Sequence, residues 1–313
     1  MSLPYHAHIE PTIYCNLKCE NCINDTVPSG RLGHLSIDTL KDILSWMPFI
    51  KDISLLGLGE PLMNPEILDM LEFIKSVNIV CRIATNGMLL DRIDMERLLN
   101  SLEECIISFD AVTKVMFEEI RRGSDFNKVI QNVKDMVNMR DRKNIPTKIF
   151  LHTIITKKNL SEVLDIPEIA LELGVDKVRF VMAVQYIPEK LISATSPLFY
   201  NSNKMASLLV NDGNIERDLA NKLSDKCRKY GLDFSFTSSE EKFYTCWWPS
   251  GGIFVTYDGF ITPCCLRMDP NVYNFGNIFK DSVDGILSGE KYQGFRRDFR
   301  EGRVPDICSN CPT

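Results

Sequence analysis

The chain has 313 residues, 44% of them hydrophobic and 25% charged, with a net charge of −6, a balance that suits a folded protein large enough for a barrel plus a smaller module. The acidity argues against a partner held through phosphate contacts, so no nucleic acid is expected. No apolar run of about 18 residues and no charged-then-apolar opening segment is present, so neither a membrane span nor a secretion signal is expected, and eleven cysteines then point to a reducing, cytoplasmic setting and to metal ligation rather than disulfides.

Apolar β-rich runs alternate with helix-like segments through residues 1–185. Strands are expected at His8–Ile13, Asp52–Leu56, Ile79–Ala84, Cys105–Phe109, Lys148–Ile155 and Lys177–Met182. Helices are expected between them at Ile37–Trp46, Pro65–Val77, Ile93–Leu102, Phe126–Met139 and Ser161–Leu173, the last capped by Asn159. Six strands joined by helices predict parallel pairing with right-handed crossovers, hence an α/β fold built as a partial (β/α)6 TIM-like barrel. Residues 186–240 lose this rhythm and read as a helical bridge, with Met205–Tyr230 one helix or two. Residues 241–313 form a Cys- and Gly-rich module.

Just past the first strand, Cys15, Cys19 and Cys22 are spaced C-x3-C-x2-C. Three thiolates make an incomplete set. A structural zinc site closes with four ligands, and an electron-transfer 4Fe-4S cluster is held by four cysteines. No histidine is near enough for a local fourth ligand, since His6 and His8 precede the run and His34 follows it; a distant ligand stays open. In α/β barrels the chemistry gathers at the carboxyl ends of the strands, which is where this run falls.

Gly57-Leu-Gly-Glu-Pro61 follows the second strand, Thr85-Asn-Gly87 the third, and Ser108-Phe-Asp110 ends the fourth, with Arg121-Arg-Gly123 further on. Each taken singly is a turn. Together with the three cysteines they resemble the radical S-adenosylmethionine (radical SAM) superfamily, although Leu58 stands where that family's motif has a second glycine. The resemblance implies a cluster on Cys15, Cys19 and Cys22 whose fourth iron is chelated by the methionine end of SAM. It implies SAM contacts from Gly59, Glu60 and Pro61, with Glu60 meeting the methionine ammonium, and from Asn86, Ser108 and Asp110. Arg121 would pair with the carboxylate of SAM, Arg122 being the competing choice. His152, Thr153 and Arg179 are weaker barrel-facing candidates, and Cys81, Cys105 and Cys227 read as core thiols.

The tail holds Cys246, Cys264-Cys265 and Cys308-x2-Cys311, with Asp258-Gly259 as a hairpin turn. This segment resembles the twitch module, a shortened relative of the SPASM domain. That implies one auxiliary 4Fe-4S cluster on Cys246, Cys264, Cys308 and Cys311; a four-thiolate zinc ribbon is the competing reading. Cys265 is then surplus, either a passive part of the turn or a hydrogen-atom donor.

What the resemblance implies is reductive cleavage of SAM to a 5′-deoxyadenosyl radical and hydrogen abstraction from an unactivated C–H bond. Two 4Fe-4S clusters and SAM are the expected cofactors, and flavodoxin or ferredoxin the kind of reducing partner. Oxidation of a carbohydrate or aminocyclitol-type substrate is the expected outcome. A peptide epimerase or cross-linking enzyme is a second reading, which the lack of a leader-recognition segment before the first strand disfavours. A non-catalytic iron–sulfur or zinc protein is a third.

Overall fold

A computed structural model of the chain describes residues 3–20, 22–24, 31–185, 206–239, 246–309 and 311. The first half alternates strands and helices: β1 (His6–Ile9), α1 (Ile37–Trp46), β2 (Asp52–Leu55), α2 (Ile67–Ser76), β3 (Val80–Thr85), α3 (Met95–Asn100) and β4 (Glu104–Ser108). There follow α4 (Lys114–Ile120), α5 (Phe126–Lys143), β5 (Lys148–Ile155), α6 (Ile166–Leu173) and β6 (Lys177–Met182). The helices begin where short polar side chains satisfy the first free amides. Ser36 accepts from Thr39 N, Thr113 from Met116 N and Asp125 from Lys128 N. Helix α6 stops at Gly174, whose φ of 71° is left-handed. The expected cap at Asn159 is not one: its side chain instead accepts from Thr156 N and donates to the carbonyls of Asp110 and Ile154, knotting the loop after β5.

Later elements are α7 (Gly213–Tyr230), β7 (Asp233–Thr237), α8 (Trp248–Gly251), β8 (Gly252–Val255), β9 (Phe260–Thr262), β10 (Gly276–Asn277), α9 (Val283–Ser288) and α10 (Glu290–Arg300). Among the described residues ten strands form one sheet, in the order β10-β9-β8-β1-β2-β3-β4-β5-β6-β7. Strands β1 to β7 pair in parallel, β8 also lies parallel to β1, and β9 and β10 are antiparallel additions. The sheet ends at β7 and β10, so the barrel is open, as the partial-barrel reading expected. All six expected strands are present, and four more join them in the sheet. β7 falls within the segment read as a helical bridge, whose residues 186–205 and 240 lie outside the described ones, as do 241–245 at the start of the module. β8 brings the carboxy-terminal module onto the barrel's own sheet. No helix among the described residues is long and apolar enough to cross a membrane.

One face of the sheet is apolar. Ala7, Ile9, Ile53, Ile107, Leu151 and Phe180 are fully buried in a core shared with Leu40, Ile43, Met70 and Val133 of the helices. The alternate residues, His8, Ser54, Arg82, Ser108, His152 and Arg179, fall on the opposite face, as the two-residue period of a strand requires. That is the inner, concave face of the open barrel; the pKa of the His8 imidazole on it is lowered first by burial and then by His6, with Arg82 and Arg179 adding less. Cys81, Cys105 and Cys227 are buried, as expected of core thiols.

Candidate active site

At the end of β1 the ladders close with Leu56 N donating to Ile9 O on one side and Glu10 N to Val255 O of β8 on the other, before Pro11, which has no amide to donate. The chain then runs as a loop across the carboxyl ends of the strands, carrying Cys15, Cys19 and Cys22. Cys22 N donates to Cys19 O at 3.2 Å, and the sulfurs of Cys15 and Cys22 accept from Leu17 N and Asn24 N. Two backbone bonds tie this loop to the end of α4, Lys18 N to Arg122 O and Glu20 N to Ile120 O. Glu20 adds ion pairs to Arg122 and Lys158. Burial, opposed by the Leu17 amide and assisted by nearby Glu60, pushes the Cys15 thiol up to about 11.

The Gly57–Pro61 loop lies directly beneath. A Cβ on Gly59 would stand 2.3 Å from Thr12 O and 2.7 Å from Tyr14 O, so only glycine lets this loop pass the cysteine loop so closely. Glu60 is buried at 3% exposure. Its carboxylate accepts from Thr85 Oγ1 at 2.6 Å, Asn86 N at 2.7 Å and Leu62 N at 3.2 Å. Burial raises its pKa, against the lowering effect of those three donors. Glu60 therefore serves first as a tie between the loops after β2 and β3. A carboxylate has about four acceptor positions, so one remains beyond these three bonds. Asn86 Nδ2 donates to Asn16 Oδ1 at 2.9 Å, linking the third loop back to the cysteine loop.

Ser108, at the carboxyl end of β4, makes no side-chain hydrogen bond among the described residues and is half-buried. Asp110 accepts from Ile154 N and forms an ion pair of 2.6 Å with Arg121 Nη2. Of the two candidate arginines, Arg121 points inward at 8% exposure, while Arg122 lies outward against Glu20. Burial works against the Arg121 charge; Asp110, Cys19 and Cys22 more than offset it, so its pKa lies above the ordinary value. Its Nε is buried without a partner. An arginine beside two thiols fits a site meant to carry negative sulfur ligands. Among the described residues no three His, Cys, Asp or Glu side chains are already gathered round one point; the fit lies in the charged surroundings.

In the tail, β8 and β9 form the hairpin turned by Asp258-Gly259, with Gly259 at φ 88° and a Cβ there meeting Phe279 at 2.5 Å. Cys264 and Cys265 follow β9. Burial raises the thiols of Cys264, Cys265 and Cys308, the last two to about 12. The same effects show who neighbours whom. Cys264 feels Cys265 and Cys308, Cys308 feels Cys311 and Cys246, and Cys265 feels Cys311 and Cys246. These five thiols are within electrostatic reach of one another without any three among the described residues being gathered round one point, and buried Arg267 beside them donates to Ile307 O and Gln185 O. Thr153 is a buried structural residue whose hydroxyl donates to Phe109 O.

Sequence reasoning missed Asn16, Asn24 and Glu10. Asn24 Nδ2 bridges the carbonyls of Ile13 and Leu58. Glu10, at 1% exposure, accepts from Leu58 N, and Arg31 and Asp258 of the tail hairpin, themselves paired, stand close by. Proximity to the cysteine run was the only signal for Asn16 and Asn24.

The radical SAM superfamily profile matches residues 9–170, and that of an iron-sulfur cluster-binding domain, SPASM, matches residues 246–312. The tungsten-containing aldehyde ferredoxin oxidoreductase cofactor-modifying protein of Pyrococcus furiosus is 26% identical over 98% of this chain and 86% of its own length. The probable GTP 3′,8-cyclase of Methanocaldococcus jannaschii is 25% identical over 83% and 85%. Among solved structures, Streptococcus suis SuiB bound to S-adenosylmethionine has a TM-score of 0.74 at 18% identity, covering 94% of this chain and 68% of that one. BtrN in complex with AdoMet and 2-DOIA has 0.56 at 19%, covering 100% and 94%. At such identities the structural likeness speaks for the fold.

Proposed function

The chain belongs to the radical SAM superfamily, and on that premise we propose that it oxidises a C–H bond in a carbohydrate or aminocyclitol-type substrate of a biosynthetic pathway. It is an enzyme, and its cofactors are S-adenosylmethionine and 4Fe-4S clusters, one in the radical SAM site and one auxiliary. Once bound, these groups supply a 5′-deoxyadenosyl radical that takes a hydrogen atom and an acceptor for the electron left behind.

Cys15, Cys19 and Cys22 would hold the first cluster, and Gly59, Pro61, Asn86 and Ser108 would border the SAM beside it. Glu60 keeps three loops in register and has one acceptor position left for the methionine ammonium. Asp110 fixes Arg121, whose remaining donors would balance thiolate and SAM carboxylate charge. Cys246, Cys264, Cys308 and Cys311 would hold the auxiliary cluster. A hydroxyl-bearing carbon would lose a hydrogen atom, then one electron, while its hydroxyl proton leaves to water, and would end as a carbonyl. A flavodoxin or ferredoxin would deliver the initiating electron.

What supports the oxidative choice is the place of Cys265 in the chain, directly after Cys264 and beyond β9 in the carboxy-terminal module. The surplus thiol is then a passive part of that module's turn, beside the four thiols that would hold the auxiliary cluster, and not a hydrogen donor in the barrel. Reduced, reconstituted enzyme with SAM and a panel of sugars and cyclitols tests the reading. It expects 5′-deoxyadenosine together with a product two electrons more oxidised. An epimerised product of unchanged oxidation state would overturn it.

A further inference from the structure

We propose that Arg179, His152 and Ser235 form a subsite for an anionic group, a carboxylate or a phosphate, so that the substrate is an acidic member of its class rather than an amine. This rests on reading the concave face as the substrate chamber. The sheet register pairs His152 with Arg179 and Arg179 with Ser235, and Ser108 with His152 on the other side. Registered residues on neighbouring strands stand about 5 Å apart and on one face. Their neighbours Ile107, Leu151, Val178 and Phe180 are all in the core beneath the helices, so the row faces the chamber. It crosses the middle of β5, β6 and β7, level with Ser108 at the end of β4 and near the Asp110–Arg121 pair.

These three side chains share an unusual lack. His152 Nε2 and Ser235 Oγ are buried with no hydrogen-bond partner. Arg179 makes no ion pair or hydrogen bond among the described residues, whereas Arg82 pairs with Asp52 and Glu104, and Arg121 with Asp110. Buried polar atoms without partners are costly and therefore rare; two of them flanking an unpaired, half-buried guanidinium call for a common acceptor. The acids on this face do not supply it. Asp52, Glu104 and Asp233 open their strands, the first two already held by His6 and Arg82 and the third exposed. Burial, then Arg179 and Arg121, hold His152 neutral, with a pKa of about 3, so its ring is a donor to an anion without adding charge. A guanidinium fork suits a carboxylate or a phosphate, and an amine there would meet like charge.

The test uses the cluster-loaded enzyme with SAM, at constant ionic strength, and inorganic phosphate and acetate as probes, their affinity read by NMR relaxation. Iron and sulfide content establishes that each variant is folded and loaded. One anion is expected to bind saturably; phosphate in preference to acetate marks a phosphorylated substrate, and the reverse a carboxylate. Arg179→Gln should weaken that binding about tenfold, the loss of one charge-assisted hydrogen bond, and Arg179→Lys by less. If neither probe saturates, or if Arg179→Gln binds as tightly as the parent, the subsite is wrong. Anion binding retained in an enzyme that forms no oxidised product upholds the subsite and overturns the oxidative reading instead.

Discussion

The two groups of cysteines in this chain differ in what surrounds the sulfur. Cys15, Cys19 and Cys22 lie half-buried in a loop laced by Glu20, Glu60, Asn86 and Arg121. Of the five in the tail, Cys264 and Cys308 are buried, with Arg267 as a close charge, and Cys246, Cys265 and Cys311 are half-buried. A polar, partly open site leaves room for a ligand to join the metal. A set of four thiols with two of them buried would supply all its own ligands and lower the access of solvent. The same element, sulfur, is thus set up for exchange in one place and for permanence in the other.

The largest test of that contrast is removal of each group in turn. Cys15, Cys19 and Cys22 changed together to Ala should cost about four iron atoms per chain and all SAM cleavage, counted by iron assay and 5′-deoxyadenosine yield. Cys308→Ala with Cys311→Ala should cost a similar amount of iron yet leave part of the cleavage, because abstraction precedes disposal of the electron, while oxidised product disappears. Equal behaviour of the two variants would erase the distinction. Within the second group, Cys264→Ala should lose iron and Cys265→Ala should keep it. The opposite pair of results would move the ligand role to Cys265, which lies near Cys246 and Cys311.

A smaller effect is expected at Glu60→Gln. The amide keeps the shape but turns one acceptor into a donor, facing either Asn86 N or Thr85 Oγ1. Leaving such a buried pair unsatisfied costs about 1–3 kcal/mol. Thermal unfolding should therefore move down by several degrees and SAM affinity fall about tenfold, with iron content unchanged. Loss of iron at unaltered SAM affinity would reverse the assignment of Glu60 to the ligand side.

Much of the first group was legible because its parts lie close together in sequence and obey strand and turn rules. The order of parallel strands, Gly59 and the Cys15–Cys22 spacing all follow from local pattern. The choice between Arg121 and Arg122 was not legible, since adjacent residues on a helix end point apart and only packing against Asp110 selects one. β7 carries a readable alternation in Asp-Phe-Ser-Phe-Thr, but its shortness hid it behind the long helix α7. β8 was invisible as a partner of β1, because nothing local joins Gly252–Val255 to His6–Ile9. Nor could the unpaired state of Arg179 be read, since an absent acid leaves no mark in sequence.

The last and smallest expected effect lies where the two regions meet. Glu10 ends β1 of the barrel, takes the amide of Leu58, and lies near the tail hairpin's Tyr257 and Asp258. Burial raises its pKa from 4.5 to about 7, more than the amides and Arg31 lower it. A carboxyl with a raised folded pKa binds its proton more tightly folded than unfolded. Its contribution to stability is therefore fullest below pH 4.5 and is lost as pH rises through about 7. Every tenfold gain in proton affinity on folding corresponds to about 1.4 kcal/mol, so the slope should be measurable by denaturant unfolding at several pH values. Glu10→Gln accepts from Leu58 N and cannot ionise, so it should flatten the profile and gain on the parent as pH rises. A variant that tracks the parent across that range would show that the junction of barrel and tail does not sense the proton on Glu10.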